Sequence, residues 1–411
     1  MTIIGQNIIE YLRYTKQIYF SVAIALTVIS CVNKAAKTGN DYTDSSLSVI
    51  KAFSDTLQNS VKDTIRADGE LIMIANMQSQ RAAHTAVLLK DGDVLVCGGF
   101  AGTNILSSAE VYNPTSKAFI KINNLNTSRS DHSATLLSNG KVLIAGGYNG
   151  NYLSSTELYD PILKTFSAGP TMNAARSGHT ATLLNNGKIL FTGGVGTSWT
   201  FLSSAEIYDT KENKFIPVNS MAVARESHTA TLLNNGNVLI TGGHRDRREN
   251  VKIYSSCEIF DIKTNQFSLT GNMQIARHKH DAVLLADGKV LIIGGSDQRD
   301  SRGVYSSAEI FNLNTSQFNS LTASLIYPRY KHKATSVLLP DNNVFIGGGS
   351  DQAEIYHFNT GIFISVKGNM GAVRLFSCAT LLKDGTVLST GGYGEDNKSN
   401  NEAWLFVKQG R

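Results

Sequence analysis

An all-β fold, a closed ring of seven four-stranded sheets, is what this sequence predicts, and three observations carry the prediction. Close copies of one stretch, Arg225 to Gly243, recur along most of the chain. Each copy holds two apolar runs around an Asn-Gly or Asp-Gly pair or, once, Asp-Asn. Such a pair is a hairpin signal, because a primed two-residue turn needs positive φ, which Asn and Gly reach cheaply. A third run and, in six of the seven units, a fourth follow each copy, so that a unit of about 50 residues supplies the strands of one sheet. Four antiparallel strands at that period make one blade of a β-propeller.

Composition agrees. The chain has 411 residues, 42% of them apolar and 17% charged, enough to bury a large core. Length alone would suggest two or three domains, but the repeat argues for one ring. The 36 Gly against 6 Pro fit many tight strand connections rather than a disordered chain. A net charge of +5 and a pI near 8.8 come without a Lys/Arg-rich tract, so nucleic acid is not expected as a partner.

The N-terminus reads differently. Arg13 and Lys16 precede an uncharged run from Gln17 to Ser30, whose apolar part, Ile18 to Ile29, matches the core of a secretory signal and is too short to span a bilayer. The run ends in Val28-Ile29-Ser30-Cys31, which resembles the lipobox of bacterial lipoproteins. That resemblance implies a signal peptide over residues 1–30 and a diacylated Cys31. It also implies a protein exported and held on a membrane of the bacterial cell envelope or surface. Residues 31–67 are expected to form a lipidated linker. Within it Ile50, Phe53, Leu57, Val61 and Ile65 fall three or four apart, as on one face of a short amphipathic helix. Without Cys31, three cysteines remain (Cys97, Cys257 and Cys378), an odd number without metal-ligand spacing, and they are expected to be buried structural thiols.

From Arg81 the units open with Arg-x-x-His: Arg81/His84, Arg129/His132, Arg176/His179, Arg225/His228, Arg277/His280 and Arg329/His332. The seventh, at Arg374, has Ser377 in the histidine's place. Successive arginines are 48, 47, 49, 52, 52 and 45 residues apart. A hairpin turn and then paired glycines follow, from Gly98/Gly99 to Gly391/Gly392. A third strand then carries Glu with an aromatic two residues on, from Glu110/Tyr112 through to Glu402/Trp404. In the first six units a fourth strand starts at a Phe, as at Phe119. These units resemble kelch repeats, as in the central propeller of galactose oxidase, and the resemblance implies a propeller over residues 68–411. The seventh unit lacks a fourth strand. The spare one lies at the other end, since Leu71 and Met77 precede Arg81 as Phe119 and Leu125 precede Arg129. A ring closed by this N-terminal strand, and a monomer, are expected, with no open sheet edge.

A residue present once per blade serves the blade, so the arginines and glutamates are expected to pair as scaffold. Function is sought where the copies differ. In kelch propellers the connections after the second strand and those leading into the first share one face, and here the longest and most basic belong to units four to six. The candidate binding residues are Arg245, Arg247, Arg248, Tyr254, Arg277, Arg299, Arg302, Tyr305, Arg329, Tyr330 and Arg374, a basic, Tyr-containing sector suited to an anionic carbohydrate or an acidic protein segment. No paired carboxylates, nucleophile elbow or metal triad stands out, so no catalytic residue, metal or cofactor is assigned. The function expected is that of a membrane-anchored binding module. The alternative is a carbohydrate-active enzyme of the kelch type, resembling the sialic-acid mutarotases more than a copper-radical oxidase.

Overall fold

The computed structural model describes residues 68–394 and 396–408, with the side chain of Arg248 not among them. The signal-like segment, Cys31 and the helical patch lie outside the described residues. Seven four-stranded antiparallel sheets follow one another along the chain. Blade 4 is representative, with strands Thr229–Leu232, Val238–Thr241, Cys257–Asp261 and Gln266–Leu269. First strands of consecutive blades are neighbours all the way round, and that of blade 7, Cys378–Leu381, lies against that of blade 1, Thr85–Leu88. The ring is therefore closed, with first strands around an axial channel.

Each second strand is an unbroken apolar or small-residue run because both of its faces pack on other blades. Val94–Cys97, Val142–Ala145 and Val238–Thr241 are buried at every position. The core lies between blades. Leu95, Cys97 and Val111 of blade 1, for example, pack on Val142, Ile144, Tyr159 and Phe166 of blade 2. Burial of this kind stabilises by about 25 cal/mol per Å² of apolar surface, and it recurs at every junction. Cys97 and Cys257 sit in these layers, where burial pushes their thiols up to about 11 and about 12. Cys378 is half-buried at the channel and donates to His84 O at 3.2 Å.

The ring closes where the repeat count places the closure. Gly69–Met73 forms the outer strand of blade 7, pairing with Ala403–Lys408 so that Leu71 faces Phe406. Two details differ from expectation. The hairpin tips are not primed two-residue turns. In blade 4, Leu233 N–H donates to Asn237 O and Gly236 N–H to Leu233 O, and at the tip only Gly236 is left-handed, with φ 87°. The Asn before it is selected instead for its side chain, since Asn235 Oδ1 accepts from Asn237 N–H at 3.1 Å. The second difference is in blade 7. Register puts Trp404, not Glu402, at the position of Glu110, because Ala403 faces Thr390 as Ala109 faces Cys97. Glu402 still pairs with Arg374, but from two residues earlier, and the Arg374 guanidinium lies 4.9 Å from the centre of the Trp404 ring.

Candidate functional site

The site rests on a clamp repeated in blades 1 to 6. In blade 3, Arg176 Nη2 donates to Glu206 Oε1 at 2.8 Å and its Nη1 to Gly193 O at 2.8 Å, while Glu206 Oε2 accepts from Asn173 N–H. Blades 1 to 6 each have this buried ion pair, always within one blade. Blades are joined by the second glycine. Its N–H donates to the carbonyl of the next blade's arginine, from Gly99 to Arg129 and on round the ring to Gly392 and Arg81. A side chain there would collide: a Cβ on Gly243 would lie 2.7 Å from Glu226 O, and φ is +87°. The repeated histidines are a second tie between blades. His132 Nε2 meets Thr85 Oγ1 at 2.9 Å and His228 Nε2 meets Thr192 Oγ1 at 3.0 Å, each on the preceding blade. Burial keeps these imidazoles neutral, with His132 held down to about 3.

Above these clamps the chain turns into each first strand through a left-handed residue. Ala83, Asp131, Gly178, Ser227, Lys279, Lys331 and Phe376, each two positions after the blade's arginine, have φ between 50° and 65°. Their main chains form a ring: Asp131 N–H donates to Ala83 O, Lys279 to Ser227, Lys331 to Lys279, Phe376 to Lys331 and Ala83 to Phe376. The backbone thus fixes the rim, and the left-handed twist leaves the side chains free to differ. Together with the channel wall they enclose a cavity of about 1070 Å³, lined by Asp131, Glu226, Lys279, Lys331, Lys333 and Phe376 among others. The room for Glu226 depends on its neighbour. A Cβ on Gly178 would lie 2.7 Å from Glu226 Oε1.

The rim has two halves. Blades 7 and 1 contribute Phe376, Leu375, Tyr393, Phe100 and Ala82, an apolar cluster that Tyr330 joins. Blades 4 and 5 contribute a row of titratable groups. Glu226 Oε2 lies 3.1 Å from His244 Nε2, the two Nδ1 atoms of His244 and His278 are 3.0 Å apart, and His278 Nε2 faces Asp300 at 3.9 Å. Asp300 in turn accepts from Lys279 Nζ through both oxygens at 2.8 Å. Burial lowers the pKa of both imidazoles and raises that of Glu226.

Blade 6 reaches the cavity by an insertion. Its arginine stands 12 residues before the turn's Asp341, against 10 from Arg225 to Asn235 in blade 4. The two extra residues, Lys333 and Ala334, bulge into the channel, with Ala334 at φ 60°. Asp281 of blade 5 stands where five other blades have Ser or Thr and blade 7 has Cys378, and its Oδ2 accepts from Thr335 and Ser336 N–H, tying down the end of the bulge. Burial raises the Asp281 carboxyl to about 6. Lys333 crosses the channel and donates to His179 O of blade 3 at 2.8 Å, and its enclosure lowers the amine's pKa.

The basic sector expected from the loops does not form the cavity wall. Arg277 and Arg329 have no exposed surface, held by Glu309 and Glu354, and Arg374 is buried and paired with the half-buried Glu402, so these three are scaffold rather than ligand contacts. Tyr254 and Tyr305 lie with their rings under Arg225 and Arg277, and Tyr330 is buried in the apolar half. Arg245 and Arg299 turn to Asp246 and Asp297 on the surface, and Arg302 is exposed. Arg248 begins a short 3-10 turn, Arg248–Asn250. Among the described candidates Arg247 alone lines the cavity, its guanidinium 3.8 Å from the centre of the Trp199 ring. Sequence reading passed over Asp131 and Glu226, and took His244, Lys331 and Lys333 only as parts of the basic loop of unit four and the basic entry of unit six. The count from arginine to turn in blade 6 carried a signal for Lys333.

This geometry defines a seven-bladed β-propeller whose mouth holds a polar cavity. The model of the KLHDC2/KLHL20/DRC7 kelch-repeats domain matches residues 169–349, and that of the kelch motif matches residues 81–126 and 129–173. The chain is a kelch-repeat β-propeller. No curated protein matches it. Among solved structures it is similar to a fungal alcohol oxidase of the AA5 family in complex with copper, with 18% identity over 83% of this chain and 76% of that one, at a TM-score of 0.67. The likeness is one of fold. Among the described residues no group of three or more His, Cys, Asp or Glu is placed to hold a metal ion, and His244 and His278 turn their facing nitrogens on each other. The donors present do not fit copper.

Proposed function

We propose that this propeller is an exported binding module, anchored to a bacterial membrane through Cys31, whose mouth cavity takes a carbohydrate ligand carrying charge. One observation carries the reading of the site: the rim opens onto a cavity large enough for a sugar, with ionised side chains on one side and the Phe376 ring on the other. Such a mixture suits sugars, which offer hydroxyls and a charged group to polar anchors and an apolar ring face to an aromatic. The anchor rests on Val28-Ile29-Ser30-Cys31 and the apolar run before it.

A second reading, a carbohydrate-active enzyme, is favoured by Glu226 on the cavity wall with His244 Nε2 3.1 Å away and His278 hydrogen-bonded behind it, a carboxyl and two imidazoles of the kind used in general acid–base catalysis. Titration calorimetry of the full-length protein with D-glucuronate, run beside an NMR assay of anomer exchange, separates the two. Saturable binding without acceleration is expected, and acceleration that is lost in Glu226→Gln would make the protein an enzyme. Labelling with a radioactive fatty acid is expected to mark the wild type and not Cys31→Ser, and equal labelling would overturn the anchor.

A further inference from the structure

Charged groups at the mouth fall into two sets. One set is held by neighbouring side chains of blades 3 to 5: Lys279 pairs with Asp300, Glu226 Oε2 lies 3.1 Å from His244 Nε2, and Arg247 lies on the face of Trp199. The other set belongs to blades 2 and 6. Among the described residues no ion pair or side-chain hydrogen bond engages the Asp131 carboxylate, although its residue is fixed in the rim by its N–H bond to Ala83 O. Lys331 Nζ has only a phenol as hydrogen-bond partner, Tyr393 OH at 2.8 Å, and lies 5.6 Å from the centre of the Phe376 ring. Lys333 Nζ has a backbone carbonyl, His179 O. All three side chains line the same cavity.

Facing charges of opposite sign normally close on each other unless something holds them apart. Here the backbone does. Asp131 and Lys331 sit on left-handed rim positions of blades 2 and 6, whose main chains are tied into the ring. Lys333 is carried by the two-residue bulge, fixed at its far end by Asp281, and drawn toward blade 3 rather than blade 2. The result is an acid and two amines on the wall of one cavity, with Phe376 on the same wall. Among the described residues none of the three is in an ion pair, and each can form a charge-assisted hydrogen bond, roughly twice as strong as a neutral one.

We infer that the mouth selects a zwitterionic ligand, a sugar bearing both an ammonium and a carboxylate, with the ammonium on Asp131 and the carboxylate between Lys331 and Lys333. This rests on the proposal that the mouth is a carbohydrate site and names the class of sugar it takes. A carboxylate has two oxygens for two amines, and the pyranose face covers Phe376. An anionic sugar alone would leave Asp131 without a counter-charge, and a cationic one would leave the lysines so.

The test uses three probes on the full-length protein by calorimetry: muramic acid, which carries both groups, D-glucuronate, which carries only the carboxylate, and D-glucosamine, which carries only the ammonium. Muramic acid is expected to bind at least about tenfold tighter than either of the others. Asp131→Asn is expected to weaken muramic acid and glucosamine about tenfold and leave glucuronate unchanged. Lys333→Met is expected to weaken muramic acid and glucuronate and leave glucosamine unchanged. Melting within a few degrees of wild type shows that both variants are folded. Glucuronate binding as tightly as muramic acid would overturn the zwitterion and leave the carbohydrate site standing. Either substitution weakening all three probes alike would also overturn it. Binding of none of the three would overturn both.

Discussion

The clamp and the rim are built from adjacent residues, yet they obey opposite rules. Arg225 and Glu226 are neighbours in sequence. The first is buried on Glu258 in an arrangement repeated in blades 1 to 6, and the second opens on the cavity with no counterpart in any other blade. One residue of chain separates what must be identical to close a ring from what must differ to recognise a ligand. The lesson is that in a repeat protein the invariant charge is structural, and the odd charge beside it is where function should be sought.

The sharpest way to break this contrast is to open the ring. Deleting residues 68–77 removes the outer strand of blade 7 and exposes the edge of Ala403–Lys408. The truncated chain is expected to lose its cooperative thermal transition or to melt well below the intact one. An unchanged melt would mean that the closing strand contributes nothing. A smaller effect comes from one clamp. Glu206→Gln leaves the Arg176 guanidinium, 1% exposed, without its counter-charge. Removing one partner of a buried pair costs about 3–5 kcal/mol. Since the amide keeps one acceptor for Arg176, about 3 kcal/mol is expected in denaturant unfolding, against no measurable change for Arg299→Ala in a surface loop. Equal effects would erase the distinction between clamp and loop.

The smallest effect is set by pH and reads the inter-blade histidines. Burial holds His132 and His332 down to about 3 and His84, His179, His228 and His280 well below the ordinary range. An unfolded imidazole titrates near 6.5, so below that pH the unfolded chain takes up protons that the folded one refuses, and stability falls as pH falls. The slope is at most about 1.4 kcal/mol per pH unit for each histidine. Asp131 and Asp281, raised to about 6 mainly by burial, act in the opposite sense between roughly pH 4 and 6, since there the folded state holds the proton. His244 and His278 are lowered as well, and Glu226 and Asp93 are raised, so that eight histidines stand against four carboxyls and the histidines prevail. Unfolding free energy should drop from pH 7 to pH 5.5, and by about 1 kcal/mol less in His132→Gln. A wild-type profile flat over that range would contradict neutral buried imidazoles.

Much of the scaffold was legible because it is periodic. The seven arginines, the paired glycines and the spare strand at Leu71 each announce themselves by spacing, and the structure puts them where spacing implies. Blade 7 shows the limit. Glu402 and Trp404 keep the Glu-x-aromatic spacing but stand two residues out of register, since a pattern fixes the interval and not the partner across the sheet. The site was less legible for a related reason. Length and positive charge pointed to the loops after Gly243 and Gly295, but Arg245 and Arg299 find their own carboxylates there. What turns Asp131 and Lys331 inward is a left-handed backbone angle shared with Ala83 and Phe376, and such an angle leaves no mark on residue type. Lys333 did leave one, as two residues too many between Arg329 and Asp341.

The seam between Gly69–Met73 and Ala403–Lys408 also fixes the order in which the molecule can be assembled. Met73 pairs with Trp404, so the first of the described strands to emerge in synthesis waits for the last of them. Blades 1 to 6 draw their strands from consecutive stretches of chain and can form as they appear, but the seventh requires contact between residues more than three hundred apart in sequence. Contacts that distant are slow to make. Ring closure is accordingly the late step of folding, and a ribosome-bound chain short of residue 403 carries six blades and an unpartnered N-terminal strand, the form in which exposed edges invite pairing with other chains.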